Sequence, residues 1–162
     1  MNNIRLVRVD FRLMHGQVGV VWSKQVDADS IMIVNEKAAK DDFLKQVIKM
    51  AAPNGLRVSI LDLPTALERI GNEKWIKRKV IVLFKSIPDL KEAFDRGFPI
   101  DEVQIGGNGS GTNKIQITNQ IFINQEEYEM LKEINQKGVP VNFQVLPKDS
   151  PISLEGVEDK FG

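Results

Sequence analysis

The sequence contains no cysteine and only one histidine, His15. Without cysteine, the protein cannot have a disulfide framework, a thiolate nucleophile or a thiolate metal site. A single histidine likewise excludes a histidine-rich metal centre. We therefore expect a protein that works without a bound metal or cofactor.

Net charge and long apolar runs are lacking as well. The 22 basic and 22 acidic residues give a formal net charge of zero, so no global field favours nucleic acid or an anionic membrane. The longest apolar runs, such as residues 80–84, fall far short of the roughly 20 residues that span a bilayer. Charged residues interrupt the apolar N-terminal stretch, which is unlike a signal peptide. We expect a soluble, cytoplasmic protein that can still dock onto a membrane partner.

The sequence does show a regular alternation of short apolar runs and amphipathic stretches. This alternation predicts an α/β fold with an open, mainly parallel central sheet and helices on both faces. A chain of 162 residues suits one such domain, spanning residues 1–162. The predicted strands are residues 4–9, 30–34, 56–61, 79–84, 102–105 and 139–146, with one or two more within 115–123. The predicted helices are residues 17–25, 41–52, 64–71, 88–96 and 124–138, followed by a tail or short extra helix at 147–162.

His15 lies where the first predicted strand gives way to the first predicted helix. In an open α/β sheet, the loops beyond the carboxyl ends of parallel strands are held rigidly yet reach solvent. Right-handed crossovers bring such loops to one side of the molecule. We therefore expect the loops at residues 10–16, 35–37, 85–86 and 106–111 to converge at one edge of the sheet.

Few reactions can be built around a single imidazole with these neighbours. A Ser/His/Asp triad could be drawn from Ser86, His15 and an aspartate, but no nucleophile elbow is present. The glycine run at residues 106–111 lets the backbone approach a ligand closely, but it equally suits a flexible turn. It matches no nucleotide-binding fingerprint. Nucleophilic catalysis by His15 remains, since an imidazole can carry a phosphoryl group as a phosphoramidate.

The residues around His15 suit a phosphate. Arg12 would neutralise the charge of the transferred group, although an arginine there could also form a surface ion pair. Gly16 and Gln17 open a helix whose free backbone N–H groups attract anions. Asp10 is a candidate for fixing the imidazole tautomer, and a turn or capping role for it is equally open.

Other residues enter the candidate site only through the expected geometry of the sheet edge. Asn35, Ser86 and Gly107 are assigned to phosphate contacts on that ground. Phe11 and Trp22 are candidates for a docking face, although a tryptophan on an amphipathic helix is more often part of the core.

The segment from Asp10 to Val18, with Val21-Trp22 following, resembles a known motif. It is similar to the D-x-R-L-I-H-G-Q-V…W motif of the IIB subunits of the mannose/fructose/sorbose family of the bacterial phosphoenolpyruvate-dependent sugar phosphotransferase system. Residues 33–36, 39–41, 51–55 and 105–107 continue the similarity along nearly the whole chain. The sequence departs from the motif at Phe11 and Met14.

The resemblance implies a transferase that carries a phosphoryl group. His15 would be phosphorylated on Nδ1 by a IIA donor protein, and Arg12 would bind the phosphate. The group would then pass to a sugar bound by the membrane subunits IIC and IID, with which a cytoplasmic IIB protein associates peripherally. The alternative from another class is a non-catalytic regulatory or binding module that recognises a phosphorylated partner or a sugar phosphate. The sequence leaves open which sugar is transported and whether the chain forms a homodimer.

Overall fold

The strands of the central sheet follow the apolar runs of the sequence. The computed structural model describes residues 3–162. Its strands are β1 (Ile4–Asp10), β2 (Ser30–Val34), β3 (Arg57–Leu61), β4 (Val80–Phe84), β5 (Val103–Gly107), β6 (Ile115–Thr118), β7 (Ile121–Ile123), β8 (Val141–Phe143) and β9 (Ile152–Ser153). One sheet has the order β3-β2-β4-β1-β5-β8-β9, and β6 and β7 form a separate antiparallel hairpin. Within the large sheet only the β8–β9 pair is antiparallel, which confirms the predicted open, mainly parallel sheet.

The helices begin at polar caps that the sequence provides. They are a π-helix (Gln17–Trp22), α1 (Ser23–Gln25), α2 (Glu36–Ala39), α3 (Asp42–Met50), α4 (Leu63–Arg69), α5 (Glu73–Ile76), α6 (Ile87–Asp95), α7 (Gln125–Gln136) and a 3-10 helix (Glu155–Lys160). Asp41, Asp62 and Asn124 accept hydrogen bonds from backbone N–H groups of the first turns that follow them. These caps satisfy donors that a helix start otherwise leaves free.

Successive side chains of each central strand enter two different cores. Val80, Val82 and Phe84 belong to the core on one face of the sheet, which also contains Leu90 of α6. The intervening Ile81 and Leu83 belong to the core on the other face, with Val18 and Trp22 of the π-helix. Burying each such aliphatic side chain contributes about 1.5–3 kcal/mol. Helices therefore cover both faces, as the continuous apolar strands predict.

Three helices between residues 17 and 76 differ from the prediction. The first helix starts as a π-helix and becomes α-helical only at Ser23. The segment predicted as a loop at residues 35–37 enters helix α2, because Asn35 caps it through the N–H of Ala38. The additional helix α5 is capped by Asn72 and buries Trp75.

The C-terminal region also differs from the prediction. The last long strand is confined to Val141–Phe143. Its start is delayed because Pro140 has no N–H to donate to a neighbouring strand. The segment that was predicted as a tail forms β9 and the 3-10 helix. It is held in place by apolar burial, since Phe161 stacks on Tyr128 at a centroid distance of 4.5 Å.

The topology opens a crevice beyond the carboxyl end of β1. Strands β1 and β4 are parallel neighbours, with Val9 opposite Phe84. The chain leaves β1 for the π-helix on one face of the sheet and leaves β4 for α6 on the other face. Ligands of open α/β sheets bind where neighbouring strands lead to opposite faces. The loop that follows Asp10 lies at this point.

Candidate functional site

The loop between β1 and the π-helix has a constrained backbone. Leu13 has φ +55°, a left-handed conformation that costs a leucine roughly 1–3 kcal/mol. Its N–H donates to the Asp10 carbonyl at 2.9 Å. The side chains of Leu13 and Met14 are buried in the core beside the π-helix and hold the turn in place. His15, which follows them, keeps 18% of its side chain exposed.

The imidazole of His15 is oriented by a buried carboxylate. His15 Nε2 lies 2.9 Å from Oδ2 of Asp10, whose side chain is completely buried. An ionised carboxylate only accepts hydrogen bonds, so Nε2 carries the proton that is donated to it. In the neutral ring the lone pair is therefore on Nδ1. The sequence named Asp10 as a candidate for this orienting position, and the structure places it there.

Asp10 stays ionised because positive groups surround it. Burial alone would raise the pKa of Asp10, but hydrogen bonds from His15 and Arg12 and the positive charge of Arg8 outweigh it. Together they hold the pKa of the carboxyl well below its usual range. The carboxylate is thus a permanent negative charge next to His15 at neutral pH.

Arg12 lies at the exposed side of this carboxylate. Its backbone N–H and its Nε both donate to Asp10 Oδ1 at 3.1 Å, and Nη2 donates to Oδ2 at 3.2 Å. Nη2 also donates to Gln17 Oε1 at 3.3 Å. The side chain is 27% exposed, so its guanidinium remains accessible to an anion. Arg12, Gln17, Asp10 and His15 therefore form one connected group, as the sequence predicts.

Arg8 is a member of the group that the sequence interpretation missed. Its side chain is fully buried, and Nη2 lies 3.1 Å from Asp10 Oδ2. Nη1 donates to Gln104 Oε1 on β5. Burial lowers the pKa of Arg8 and the Asp10 carboxylate raises it, yet a guanidinium keeps its charge in proteins. The available signal was a charged residue inside an apolar strand, two positions before Asp10 and therefore on the same face.

The glycines at the end of β5 provide room for these side chains. A Cβ at Gly106 would overlap the guanidinium of Arg8, and a Cβ at Gly107 would lie 2.8 Å from Asp10 Oδ1. The Gly107 carbonyl accepts the N–H of Phe11 at 3.1 Å. The glycine run was interpreted as a place where the backbone approaches a ligand, and the close approach seen here is to Arg8 and Asp10. A phosphate contact for Gly107 stays a prediction.

Gly16 differs from these glycines because its surroundings are open. It precedes the π-helix with φ −54°, which suits any residue, and an added Cβ would have no described heavy atom within 4 Å. The fold itself does not require glycine here. The predicted phosphate contact of Gly16 is therefore compatible with the space around it.

Asn35 and Ser86 lie at the same edge of the sheet but have other partners. Asn35 Oδ1 accepts the N–H of Ala38 at 2.8 Å, and Ser86 Oγ accepts the N–H of Asp89 at 3.2 Å. Asn35 also lines a cleft of about 460 Å³ with Arg96, and none of the described residues of the His15 group borders it. Both side chains act as helix caps in this structure, and their phosphate contacts stay a prediction.

The aromatic residues near the site separate into one exposed and one buried side chain. Phe11 is 39% exposed, and its ring centroid lies 5.7 Å from the Arg12 guanidinium carbon. Trp22 is buried, and its indole N–H donates to the Val145 carbonyl at 2.9 Å. Of the two docking candidates, only Phe11 is at the surface. A polar cleft of about 440 Å³ borders the group at Gln17.

Across residues 3–162, no cluster of three or more His, Asp or Glu side chains is arranged to hold a metal ion. In the same part of the chain, every helix is too short or too polar to cross a membrane.

Comparison with known proteins identifies the family. Residues 4–160 match the family model described as PTS system sorbose subfamily IIB component. The sorbose-specific EIIB component of Lacticaseibacillus casei is 36% identical over 160 residues, which cover 98% of this chain and 98% of that protein. The crystal structure of manxB from Thermoanaerobacter tengcongensis superimposes with a TM-score of 0.91 at 33% identity, covering 98% of this chain and 96% of the other. The chain belongs to the sorbose subfamily of phosphotransferase-system IIB components.

A further relative has a different domain content. The mannose-specific EIIAB component of Escherichia coli (strain K12) is 26% identical over 151 residues. The match covers 93% of this chain but only 47% of that protein. This chain therefore spans about half the length of the Escherichia coli relative.

Proposed function

We propose that this IIB protein is a phosphoryl carrier that is phosphorylated on Nδ1 of His15. A phosphorylated IIA protein is the donor, and a sugar taken up through the membrane subunits IIC and IID is the acceptor. One observation carries the proposal: His15 Nε2 lies 2.9 Å from the buried carboxylate of Asp10. This contact leaves Nδ1 as the nucleophilic nitrogen at the exposed edge of the sheet.

The surrounding charges suit each step of the transfer. As Nδ1 forms a bond to phosphorus, the bond from phosphorus to the donor nitrogen breaks, and the proton on Nε2 remains there. The ring then gains positive charge, which the ionised Asp10 stabilises. Arg12 neutralises negative charge on the phosphoryl oxygens. Gln17, Gly16 and the N–H groups that begin the π-helix are the further candidates for phosphate contacts.

The two partners must use the same face of the protein in turn. The name of the Escherichia coli relative, mannose-specific EIIAB component, indicates that A and B functions occur together in one chain, and this supports a IIA protein as the donor. Both partners must reach His15, so their interfaces overlap there and favour turnover over tight binding. The protein would therefore act on the cytoplasmic side, associated peripherally with the membrane subunits.

The test is phosphoryl transfer from labelled phosphoenolpyruvate through the general phosphotransferase proteins and a IIA protein of the sorbose subfamily. The native chain should acquire one acid-labile phosphate, and His15→Ala should acquire none while keeping its circular dichroism spectrum. Phosphorus and nitrogen NMR should assign the phosphate to Nδ1. Label that persists in His15→Ala would show that another residue is the nucleophile. Tight binding of phosphorylated IIA without any transfer would instead identify a binding module.

A further inference from the structure

The two arginines that contact Asp10 are placed very differently. Arg8 has 0% of its side chain exposed, and Arg12 has 27% exposed. Arg8 lies behind the carboxylate within the sheet, whereas Arg12 lies in the loop that carries His15. The two positive charges are therefore not equivalent, although both are bound to one acceptor.

Asp10 is surrounded by more hydrogen-bond donors than a carboxylate has lone-pair sites. Arg8 donates to it from Nε and Nη2, Arg12 donates from its backbone N, Nε and Nη2, and His15 Nε2 lies within hydrogen-bond distance. Six donors thus converge on a group that offers about four lone-pair sites. Two of these donors can move away from Asp10, and each lone-pair site of the carboxylate still has a donor.

The two donors that move away do not belong to Arg8, because its side chain is fixed in place. Its remaining hydrogen bonds go to Gln104 Oε1 and to the carbonyls of Gln144 and Val145, the latter two at 3.2 Å. The space for its guanidinium exists only because Gly106 has no side chain. Moving Arg8 would leave a buried positive charge without partners, which is strongly unfavourable. Apart from Asp10, the only hydrogen-bond acceptor of the Arg12 side chain among the described residues is Gln17 Oε1, and its guanidinium also lies over the partly exposed ring of Phe11.

We propose that Arg8 is a positioning residue, the fixed counter-ion that keeps Asp10 ionised and in place while Arg12 turns to the phosphoryl group. The inference rests on the proposed function. When Nε and Nη2 of Arg12 leave, four donors remain on Asp10: Nε and Nη2 of Arg8, the backbone N–H of Arg12, and His15 Nε2. This number matches the capacity of a carboxylate. Arg8 itself never touches the phosphate.

A direct test observes the arginine Nε–H groups of the native protein by nitrogen–proton NMR before and after phosphorylation. The Arg12 Nε–H signal should shift because its acceptor changes from Asp10 to the phosphoryl group. The Arg8 Nε–H signal should keep its position and its protection from solvent exchange. Movement of the Arg8 signal with a stationary Arg12 signal would overturn the inference. A native protein that takes up no phosphate would refute the proposed function instead, which is a separate outcome.

A second test compares rates of phosphorylation by phosphorylated IIA in a double-mutant cycle. Arg8→Gln should slow phosphorylation by roughly tenfold, since Asp10 loses the fixed positive charge that holds it against His15. In an Asp10→Asn background, Arg8→Gln should have less than about a twofold further effect, because Arg8 acts through Asp10. Arg12→Gln should still slow that background by roughly tenfold or more, because Arg12 contacts the phosphate.

The charge-conserving variant distinguishes a positioning role from a merely structural one. Arg8→Lys keeps the positive charge and should recover most of the rate that is lost in Arg8→Gln. An unchanged rate in Arg8→Gln, or equal effects of Arg8→Gln with and without the Asp10 carboxylate, would assign Arg8 to fold stability alone. If Arg8→Gln does not fold, the NMR experiment on the native chain decides.

Discussion

The loops that follow β1, β2, β3 and β4 lie at the same edge of the sheet. The polar residues in them nevertheless have different hydrogen-bond partners. Asn35, Asp62 and Ser86 each precede a helix directly, and their side chains are bound to its first turn. Asp10 is separated from the next helix by residues 11–16. Its carboxylate therefore stays available to Arg12 and His15.

The contrast indicates that the distance from a strand end to the next helix determines which hydrogen-bond partners a polar residue there has. The side-chain oxygen of a cap accepts a backbone N–H group that the fold supplies. A residue followed by a loop must find side-chain partners, and those partners can be exchanged during a reaction. The carboxyl edge of a parallel sheet thus holds both stabilising and reactive residues, and the comparison can be tested one substitution at a time.

The largest effect on stability is expected from Asp10→Asn. Removing the charge leaves the buried Arg8 without its counter-ion, so the free energy of unfolding should fall by about 3 kcal/mol at pH 7. Because the pKa of Asp10 is lowered on folding, the stability that its ionised form contributes is complete above the unfolded value of about 3.9 and is lost as the pH falls below it. Urea titrations from pH 7 to pH 2 should show the native and variant curves converging.

The control for this titration is Asp62→Asn, which replaces one good cap by another. Its loss of stability at pH 7 should be much smaller than that of Asp10→Asn, and it should also disappear at low pH, because the hydrogen bond from Thr65 lowers the pKa of Asp62. A constant gap between native protein and Asp10→Asn down to pH 2 would contradict the ionised state of Asp10.

The next largest effect is expected on transfer rather than on stability. Arg12→Gln should slow phosphorylation by IIA roughly 10²-fold or more, the usual loss when a group that stabilises developing charge is removed. Arg96→Gln removes a guanidinium from the cleft that Asn35 lines and should leave the rate unchanged. Initial rates with labelled IIA measure both. Equal rates for Arg12→Gln and native protein would make Arg12 a partner of Asp10 only.

At the caps we expect smaller effects, which fall on stability rather than on phosphoryl transfer. Asn35→Ala and Ser86→Ala should each lower the free energy of unfolding by about 1 kcal/mol, because a helix start loses its acceptor. Phosphorylation rates at 25 °C should stay within about twofold of native, since the remaining stability keeps the chain folded. Denaturant titration and transfer assays on the same samples check this. A tenfold loss of rate in either variant would show that its side chain binds phosphate.

The smallest effect on stability is expected at Gly16. Gly16→Ala has open space and a backbone conformation that alanine favours, so stability should change by less than about 1 kcal/mol. A phosphate packed against this backbone would meet the new methyl group, and transfer should then slow although the fold is unaffected. Thermal unfolding together with the transfer rate separates the two. Native rates in Gly16→Ala would show that the phosphate does not approach Gly16 closely.

The fold and the inner part of the candidate site could be predicted because local patterns encode them. Continuous apolar strands predict buried parallel neighbours, and Asp41, Asp62 and Asn124 are recognisable caps. Asp10 and His15 are only five residues apart, so their proximity follows from one short loop.

The rest depends on contacts between distant parts of the chain. Arg8 meets Gln104 across 96 residues, and no local pattern predicts that pairing. The position of Asn35 and Ser86 at strand ends predicts that they lie at this edge, but it does not show that each side chain accepts an N–H of the helix that follows it. Gly106 was interpreted as a feature of a ligand loop because the side chain that fills its space belongs to another strand.

Trp22 makes the state of the site accessible to fluorescence. Its indole lies 5.4 Å from the Arg8 guanidinium, and its N–H shares the Val145 carbonyl with that side chain. The chain has two tryptophans, so a Trp75→Phe variant would leave Trp22 as the sole emitter. Its spectrum would then report on the electric field around the buried arginine while the protein cycles between its phosphorylated and free forms.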